Sequence, residues 1–243
     1  MSPSDLDRYQ RDGFLELGPR LGPDDVAAVL ARFAELDAAP DVPPQYEAQY
    51  DTAGPERRLR KLRRLVWNDP ALFAPMLVRA GAPELAEEVV GPGAVIVFHA
   101  AFLKPARIGT QVGLHQDQAL WSRDYPSAFS VWFALTDVHP DNGGLYGCPG
   151  SHSAGSLPHA EDGEHPWHDT LTHRAADLQP AHQFRLSPGD AVMWDRNLAH
   201  GSGPNASDSD RSGMVVVFAD GSVEGFDPVD AMGLDELRER GAA

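Results

Sequence analysis

Cysteine is nearly missing from this chain: one residue, Cys148, in 243. No disulfide can form within it, which fits a reducing compartment and a cytoplasmic protein. Positive charge is scarce as well. Twenty Lys and Arg stand against 36 Asp and Glu, for a formal net charge of −16. A surface of that sign repels phosphate backbones and anionic headgroups, so nucleic acid and membranes are not expected partners. Long apolar runs are also lacking. The longest strongly apolar stretch lies near Ala94–Leu103 and contains His99. It falls far short of the roughly 20 residues that a bilayer-spanning helix needs. The opening residues Met1 to Gln10 are polar and charged and show no secretory signal.

What is present is an ordinary globular composition, 42% hydrophobic and 23% charged, in a chain long enough to bury a sizeable core. One domain is expected over 1–243. It divides into a helical N-terminal region (about 1–92), a β core (about 93–220) and a short C-terminal tail (221–243). Pro3–Gly13 reads as a short amphipathic piece. Asp24 is placed to cap a helix from about Asp25 to Leu36, with Val26, Leu30, Phe33 and Leu36 near helical spacing. Ala71–Arg79 and Pro83–Val90 read as two further helices. After Gly93 the pattern changes to short strands: Ala94–Leu103, Ala128–Leu135, Leu145–Cys148, Gln183–Leu186, Asp190–Trp194 and Gly213–Ala219. Helices first and short strands later, separated by Gly/Pro/Asn/Asp turns, point to an α+β fold with a β sandwich or barrel and a helical layer on one side.

Some features have a plain structural reading. His99 in an apolar strand is expected to be a hydrogen-bonded core histidine. Cys148 is expected to be a buried thiol, and Trp194 and Phe218 are most simply core. The segment Ser151–His182 holds His152, His159, His165, His168, His173 and His182, at spacings that match no tight metal motif; it reads as a solvated loop. The run from Arg57 to Arg64 is the one dense basic stretch. It reads as a solvated helix face, or as a patch near a site entrance for an anionic substrate.

The chemistry centres on Gly113-Leu114-His115-Gln116-Asp117. On a strand, residues two apart share a face, so His115 and Asp117 can converge on one ion. A second histidine from far along the chain would complete two histidines and one carboxylate. That facial set leaves coordination positions open and marks non-haem iron(II) oxygenases. His200, in Ala199-His200-Gly201-Ser202-Gly203-Pro204-Asn205, follows the strand ending at Trp194. Arg211 comes eleven residues later and opens the next strand. In an antiparallel hairpin the two would face one pocket across the turn. The Arg211 guanidinium suits a carboxylate, and Ser202 can add a hydroxyl.

Together His115-Gln116-Asp117-Gln118-Ala119-Leu120-Trp121, Asp141–His152, Pro188-Gly189-Asp190 with Trp194, and His200–Asn205 with Arg211 resemble the phytanoyl-CoA dioxygenase (PhyH) family. Tyr9–Leu15 and Leu65–Pro70 add to the likeness, which runs from about residue 5 to 220. The resemblance implies a double-stranded β-helix, the cupin-like jelly roll, with helices packed outside. It also implies iron(II), 2-oxoglutarate and O2, with ascorbate as the reductant in vitro. His115, Asp117 and His200 match the iron ligands. Arg211 and Ser202 match the contacts to the far carboxylate of 2-oxoglutarate. Trp132 matches an aromatic lining that pocket, and Trp121 one close to iron and substrate. Lys104 and Gln111 are further candidates for cosubstrate contact, and Gln118, Phe98 and Trp194 for substrate contact. Related halogenases replace the carboxylate ligand with a small residue, so Asp117 implies hydroxylation rather than halogenation. The substrate is expected to be a small molecule, anionic or carrier-linked. A composition rich in Ala, Gly, Pro, Asp and Arg suggests a GC-rich bacterial genome, and with it a tailoring role in natural-product biosynthesis. Oligomeric state is not legible. A metal-binding cupin-like sensor or isomerase would explain the metal ligands but not Arg211 and Ser202, and a pure interaction module would explain neither.

Overall fold

The computed structural model describes residues 1–51, 57–121, 124–161, 168–172, 178, 181–222 and 231–242. Helix α1 (Pro3–Asp12) is closed at its start by a capping box from Ser2 and Asp5 and at its end by left-handed Gly13. Strand β1 (Phe14–Pro19) leads to α2 (Pro23–Ala38). The residue before that helix is Gly22 with Pro23 at its first position, so Asp24 lies inside the first turn rather than at the cap. Strands β2 (Gln49–Tyr50) and β3 (Leu59–Arg63) precede the helices α3 (Leu65–Asn68), α4 (Pro70–Arg79) and α5 (Ala82–Val89). The rest is mainly strand: β4 (Ala94–Lys104), β5 (Val112–His115), β6 (Phe129–Ala134), β7 (Leu145–Gly147), β8 (His159–Ala160), β9 (Thr170–Leu171), β10 (His182–Gln183), β11 (Asp190–Asp195), β12 (His200–Ser202), β13 (Arg211–Asp220) and β14 (Met232–Gly233). Helix α6 (Leu234–Ala242) ends the described chain.

Two antiparallel sheets face each other. The large one runs β1-β11-β6-β13-β4-β3-β2, with β14 also on β4; the small one runs β10-β7-β12-β5. Alternation along the strands sorts the core into two layers. On β13, Met214, Val216 and Phe218 face outward onto α2, α4, α5 and α6, in a cluster that includes Phe33, Phe73, Met76 and Leu237. Val215 and Val217 face inward with Trp132, Val192 and Trp194, against Leu145, Phe184 and Leu198. This is the jelly roll with an outer helical layer. Among the described residues no helix is long and apolar enough to cross a membrane.

Four expectations are corrected. The first ninety residues are not wholly helical, because β1 pairs with β11 and β3 with β4. The basic run is not a helix face: Leu59 to Arg63 form a strand inside the large sheet. The C-terminal stretch is not merely a tail, since β14 pairs with β4 and α6 buries Leu234 and Leu237 against the core. His99 is fully buried edge-on to Phe73, but neither ring nitrogen has a hydrogen-bond partner among the described residues. Burial alone pushes its pKa down to about 3, so it packs as a neutral ring. Cys148 is a buried free thiol, and Phe218 is core.

One glycine on β13 is fixed by packing. A Cβ at Gly213 would lie 1.9 Å from the Trp132 indole, so glycine alone lets that ring lie flat on the strand. Gly213→Ala is expected to destabilise the fold by about 1–3 kcal/mol, the usual range for overpacking, and to displace Trp132. Chemical denaturation with tryptophan fluorescence reads both.

Candidate active site

The two histidines are cross-strand neighbours. β12 pairs with β5 so that His200 lies opposite His115, and their rings are 4.3 Å apart between centroids. Asp117 lies beyond the end of β5, opening a short 3-10 turn (Asp117–Leu120), so the three are not all on strand. Gln116 between them keeps an extended backbone, φ −114° and ψ 136°. The alternation of faces therefore carries through one residue past the strand. One ligand atom from each of His115, Asp117 and His200 lies within 4.8 Å of the others. Asp117 Oδ1 is 3.7 Å from each Nε2.

Each ligand atom is aimed by a partner behind it. His115 Nδ1 meets the Gly113 carbonyl at 2.8 Å, and His200 Nδ1 meets the Leu198 carbonyl at 2.9 Å. Each Nδ1–H donates to that carbonyl, which leaves Nε2 with a free lone pair toward its counterpart. Burial, with His200 and His168 beside it, holds His115 well below the usual histidine range, so it stays neutral and fit to ligate. Asp117 Oδ2 accepts from Ser130 Oγ at 2.6 Å and from Trp194 Nε1 at 2.8 Å. Oδ1 is left for a cation. An imidazole–imidazole–carboxylate set of this geometry could hold a divalent metal, with iron(II) a good match.

The cavity over this set has a volume of about 440 Å³. Five of the twenty basic residues line it (Arg60, Lys61, Arg63, Lys104 and Arg211), against the single carboxylate of Asp117. Arg211 and His200 are not partners in a hairpin. β13 belongs to the large sheet and β12 to the small one, and the two residues face the same cavity from opposite walls. Arg211 is buried, and its Nη2 donates to the Gly143 carbonyl at 2.6 Å. Its Nε and Nη1 have no partner among the described residues. Burial pushes the guanidinium down to about 9. Two orphaned donors on a buried cation are costly unless an anion meets them, and a carboxylate presents the matching fork. Trp132 lies under this guanidinium, 5.5 Å from ring centroid to Cζ. Gly143 has a left-handed backbone, φ 78°, and a side chain there would strike Lys104 and the Gly203 carbonyl.

Other residues singled out in the sequence divide. Ser202, Phe98 and Trp121 line the cavity. Lys104 lines it too, but its ammonium is turned to the carbonyls of Thr110, Ser202 and Gly203. Burial, helped by Arg211 nearby, lowers it to about 6. Trp194 lines the cavity while its indole N–H is committed to Asp117. Gln111 does not line it. Gln118 does not either: its amide oxygen accepts from the Tyr125 N–H and from Arg196.

The structure also brings in residues that sequence reasoning passed over. Ser130 precedes Trp132 by two on an otherwise apolar strand, and that lone hydroxyl on the inner face was the available signal. Gln116 is fully buried; its side chain donates to the carbonyls of Gly155 and Asn197 and accepts from the Leu157 N–H. The Gln116 N–H donates to His159 Nε2 at 3.1 Å, while His159 Nδ1–H donates to the Leu157 carbonyl. His168 lines the cavity with its ring 4.4 Å from that of His115. Part of the His-rich segment is thus packed on the site rather than solvated; His165 and His173 lie outside the described residues.

Comparison with known proteins bears on this geometry. Residues 9–213 match the model of the family described as phytanoyl-CoA dioxygenase (PhyH). The ectoine dioxygenase of Streptomyces avermitilis is 28% identical, over 90% of this chain and 78% of that one. Among solved structures, AviO1 from Streptomyces viridochromogenes Tue57 aligns with a TM-score of 0.67 at 27% identity, covering 92% of this chain and 97% of that one. EvdO2 from Micromonospora carbonacea var. aurantiaca, complexed with 2-oxoglutarate, shares the fold with a TM-score of 0.72 at 24% identity, covering 90% and 91%.

Trp194→Phe keeps a ring in the inner core but deletes the N–H that fixes Asp117. Loss of such a supporting bond typically weakens metal affinity about 10–100-fold. Titration with cobalt(II), followed by its absorption, is expected to show that loss with little change in unfolding midpoint.

Proposed function

The chain belongs to the phytanoyl-CoA dioxygenase family, and from that premise we propose that it is an iron(II)- and 2-oxoglutarate-dependent dioxygenase that hydroxylates an unactivated C–H bond of a small molecule in natural-product biosynthesis. The observation that carries this reading is the pairing of two groups in one cavity. His115, Asp117 and His200 converge to hold a metal, and Arg211 presents two unpartnered buried donors to the same space. A metal-binding sensor or isomerase accounts for the first and leaves the second unexplained.

In this reading His115, Asp117 and His200 hold iron(II), and Arg211 with Ser202 receives the far carboxylate of 2-oxoglutarate. When bound, iron and 2-oxoglutarate activate O2 with release of succinate and CO2 and supply the oxidant for the C–H bond. The chain's own part is binding and placement. Trp132 shelves the guanidinium, and the apolar inner layer of Val215, Val217 and Phe98 keeps water from the cosubstrate. Asp117, as a carboxylate ligand, supports hydroxylation over halogenation. Ectoine dioxygenase as a relative supports a small polar metabolite as substrate. A cytoplasmic location suits the lone buried thiol of Cys148.

With iron(II), ascorbate and 2-oxoglutarate, the purified protein is expected to release succinate, and His115→Ala to abolish that release. Arg211→Met is expected to weaken 2-oxoglutarate binding by roughly 30-fold or more, the equivalent of about 2 kcal/mol for a lost buried charge pair. Calorimetry without oxygen measures it; unchanged binding would remove the anchor role from Arg211.

A further inference from the structure

Three residues of the basic run, Arg60, Lys61 and Arg63, line the cavity from the sheet that also carries Arg211, and one of these cations stands apart. Arg58 pairs with Asp37 and Asp210. Arg60 has Asp51, Gln49 and Thr110, and Arg63 has Glu47. Lys61 has no carboxylate or hydrogen-bond acceptor among the described residues. Its Nζ lies over two rings instead, 4.8 Å from the Phe102 centroid and 5.3 Å from that of Phe98. All three residues line the cavity.

The register explains this placement. Lys61 lies opposite Phe102 on β4, and Phe102 lies opposite Gly213 on β13, so all three share the inner face. Lys61 is thus two strands from the strand that carries Arg211, roughly 10 Å by the spacing of strands in a sheet. The two cations can hold two different anions in the same cavity. The aromatic pair stabilises the ammonium and fixes its direction without neutralising it. Burial, with Arg63 and Arg60 beside it, pushes Lys61 down to about 8, while Asp117 and Glu47 pull the other way from beyond ion-pair distance.

We propose that the substrate is a carboxylate and that Lys61 binds its anionic group, with Phe98 and Phe102 flanking the ammonium. This rests on the dioxygenase reading of the cavity and names the substrate class for that site. Carboxylate is favoured over phosphate because Arg60 and Arg63 already pair with Asp51 and Glu47, which leaves one ammonium without an ion pair for a single negative charge; Arg63 Nε, with no partner among the described residues, can add one hydrogen bond to the same anion. The substrate's carboxylate then lies at the β3 wall, and the rest of the molecule reaches toward His115, Asp117 and Trp121.

The test uses anaerobic protein loaded with iron(II) and 2-oxoglutarate. Cyclohexanecarboxylate, 3-phenylpropanoate, their carboxamides and phenyl phosphate are titrated by calorimetry and by the visible charge-transfer band of the iron–2-oxoglutarate complex. Wild type is expected to bind at least one carboxylate tighter than its amide by about tenfold or more, as for a hydrogen bond to a charged group. Lys61→Met is expected to lose that preference and Lys61→Arg to keep it, with 2-oxoglutarate affinity unchanged in both. Equal carboxylate binding by Lys61→Met overturns the proposal, as does wild type that binds no carboxylate or prefers the phosphate. Loss of 2-oxoglutarate binding in Lys61→Met also overturns it, by making Lys61 the cosubstrate anchor. The calorimetric series is repeated without iron and 2-oxoglutarate. If wild type fails to bind 2-oxoglutarate, that result counts against the dioxygenase reading, and the carboxylate preference is still read on its own.

Discussion

The site depends on one carboxylate that spans two sheets. Asp117 rides on the small sheet through β5, yet its Oδ2 is held by Ser130 and Trp194 of the large sheet. One oxygen therefore fastens the sandwich while the other faces His115 and His200. The two histidines need no such brace, because cross-strand pairing sets them side by side and backbone carbonyls fix their rings. A metal site made this way is as rigid as the separation of the two sheets. That separation is in turn held by the inward residues of β6, β11 and β13. The outer helical layer contributes indirectly, by packing the other face of those strands.

Around this brace the cavity is sorted by charge and depth. Arg211 lies at one end with Trp132 beneath it and the Gly143 carbonyl on one nitrogen. Lys104, one strand over, turns its ammonium away to three carbonyls and so organises the loop after β12. Asn205 locks the same loop by donating to the carbonyls of Lys104 and Ser209. Gln116 ties the metal motif to the segment that carries His159, so the floor and one flank of the cavity are a single bonded unit.

Much of this was legible in the chain itself. His115 and Asp117 at a spacing of two, with His200 and Arg211 eleven apart, marked the site, and apolar runs bounded by turn residues marked β4, β6 and β13. The errors have physical causes. Leu59, Leu62 and Leu65 recur every third residue, which mimics a helix. Pairing with β4 overrides that local signal and makes a strand. The helix α6 carries only Leu234 and Leu237 as buried anchors in a charged stretch, too little pattern to distinguish it from a tail. His200 and Arg211 are close in sequence, but the jelly roll sends successive strands to opposite sheets, so proximity in the chain did not mean pairing. Ser130 and His159 act on the site only through folding; a lone hydroxyl on an apolar strand was the one local sign of Ser130, and His159 had none.

The separation of charge between surface and cavity has a kinetic consequence. The chain carries −16 overall, while five basic side chains and one carboxylate line the cavity. An approaching dianion such as 2-oxoglutarate first meets a repulsive field and only at the mouth an attractive one. Dissolved salt screens the outer field over a Debye length of about 8–10 Å, whereas buried charges are screened far less. Raising ionic strength is therefore expected to quicken encounter while weakening contacts made inside the cavity far less. Association is then expected to run faster with salt, the reverse of the dependence when opposite charges steer ligand to protein.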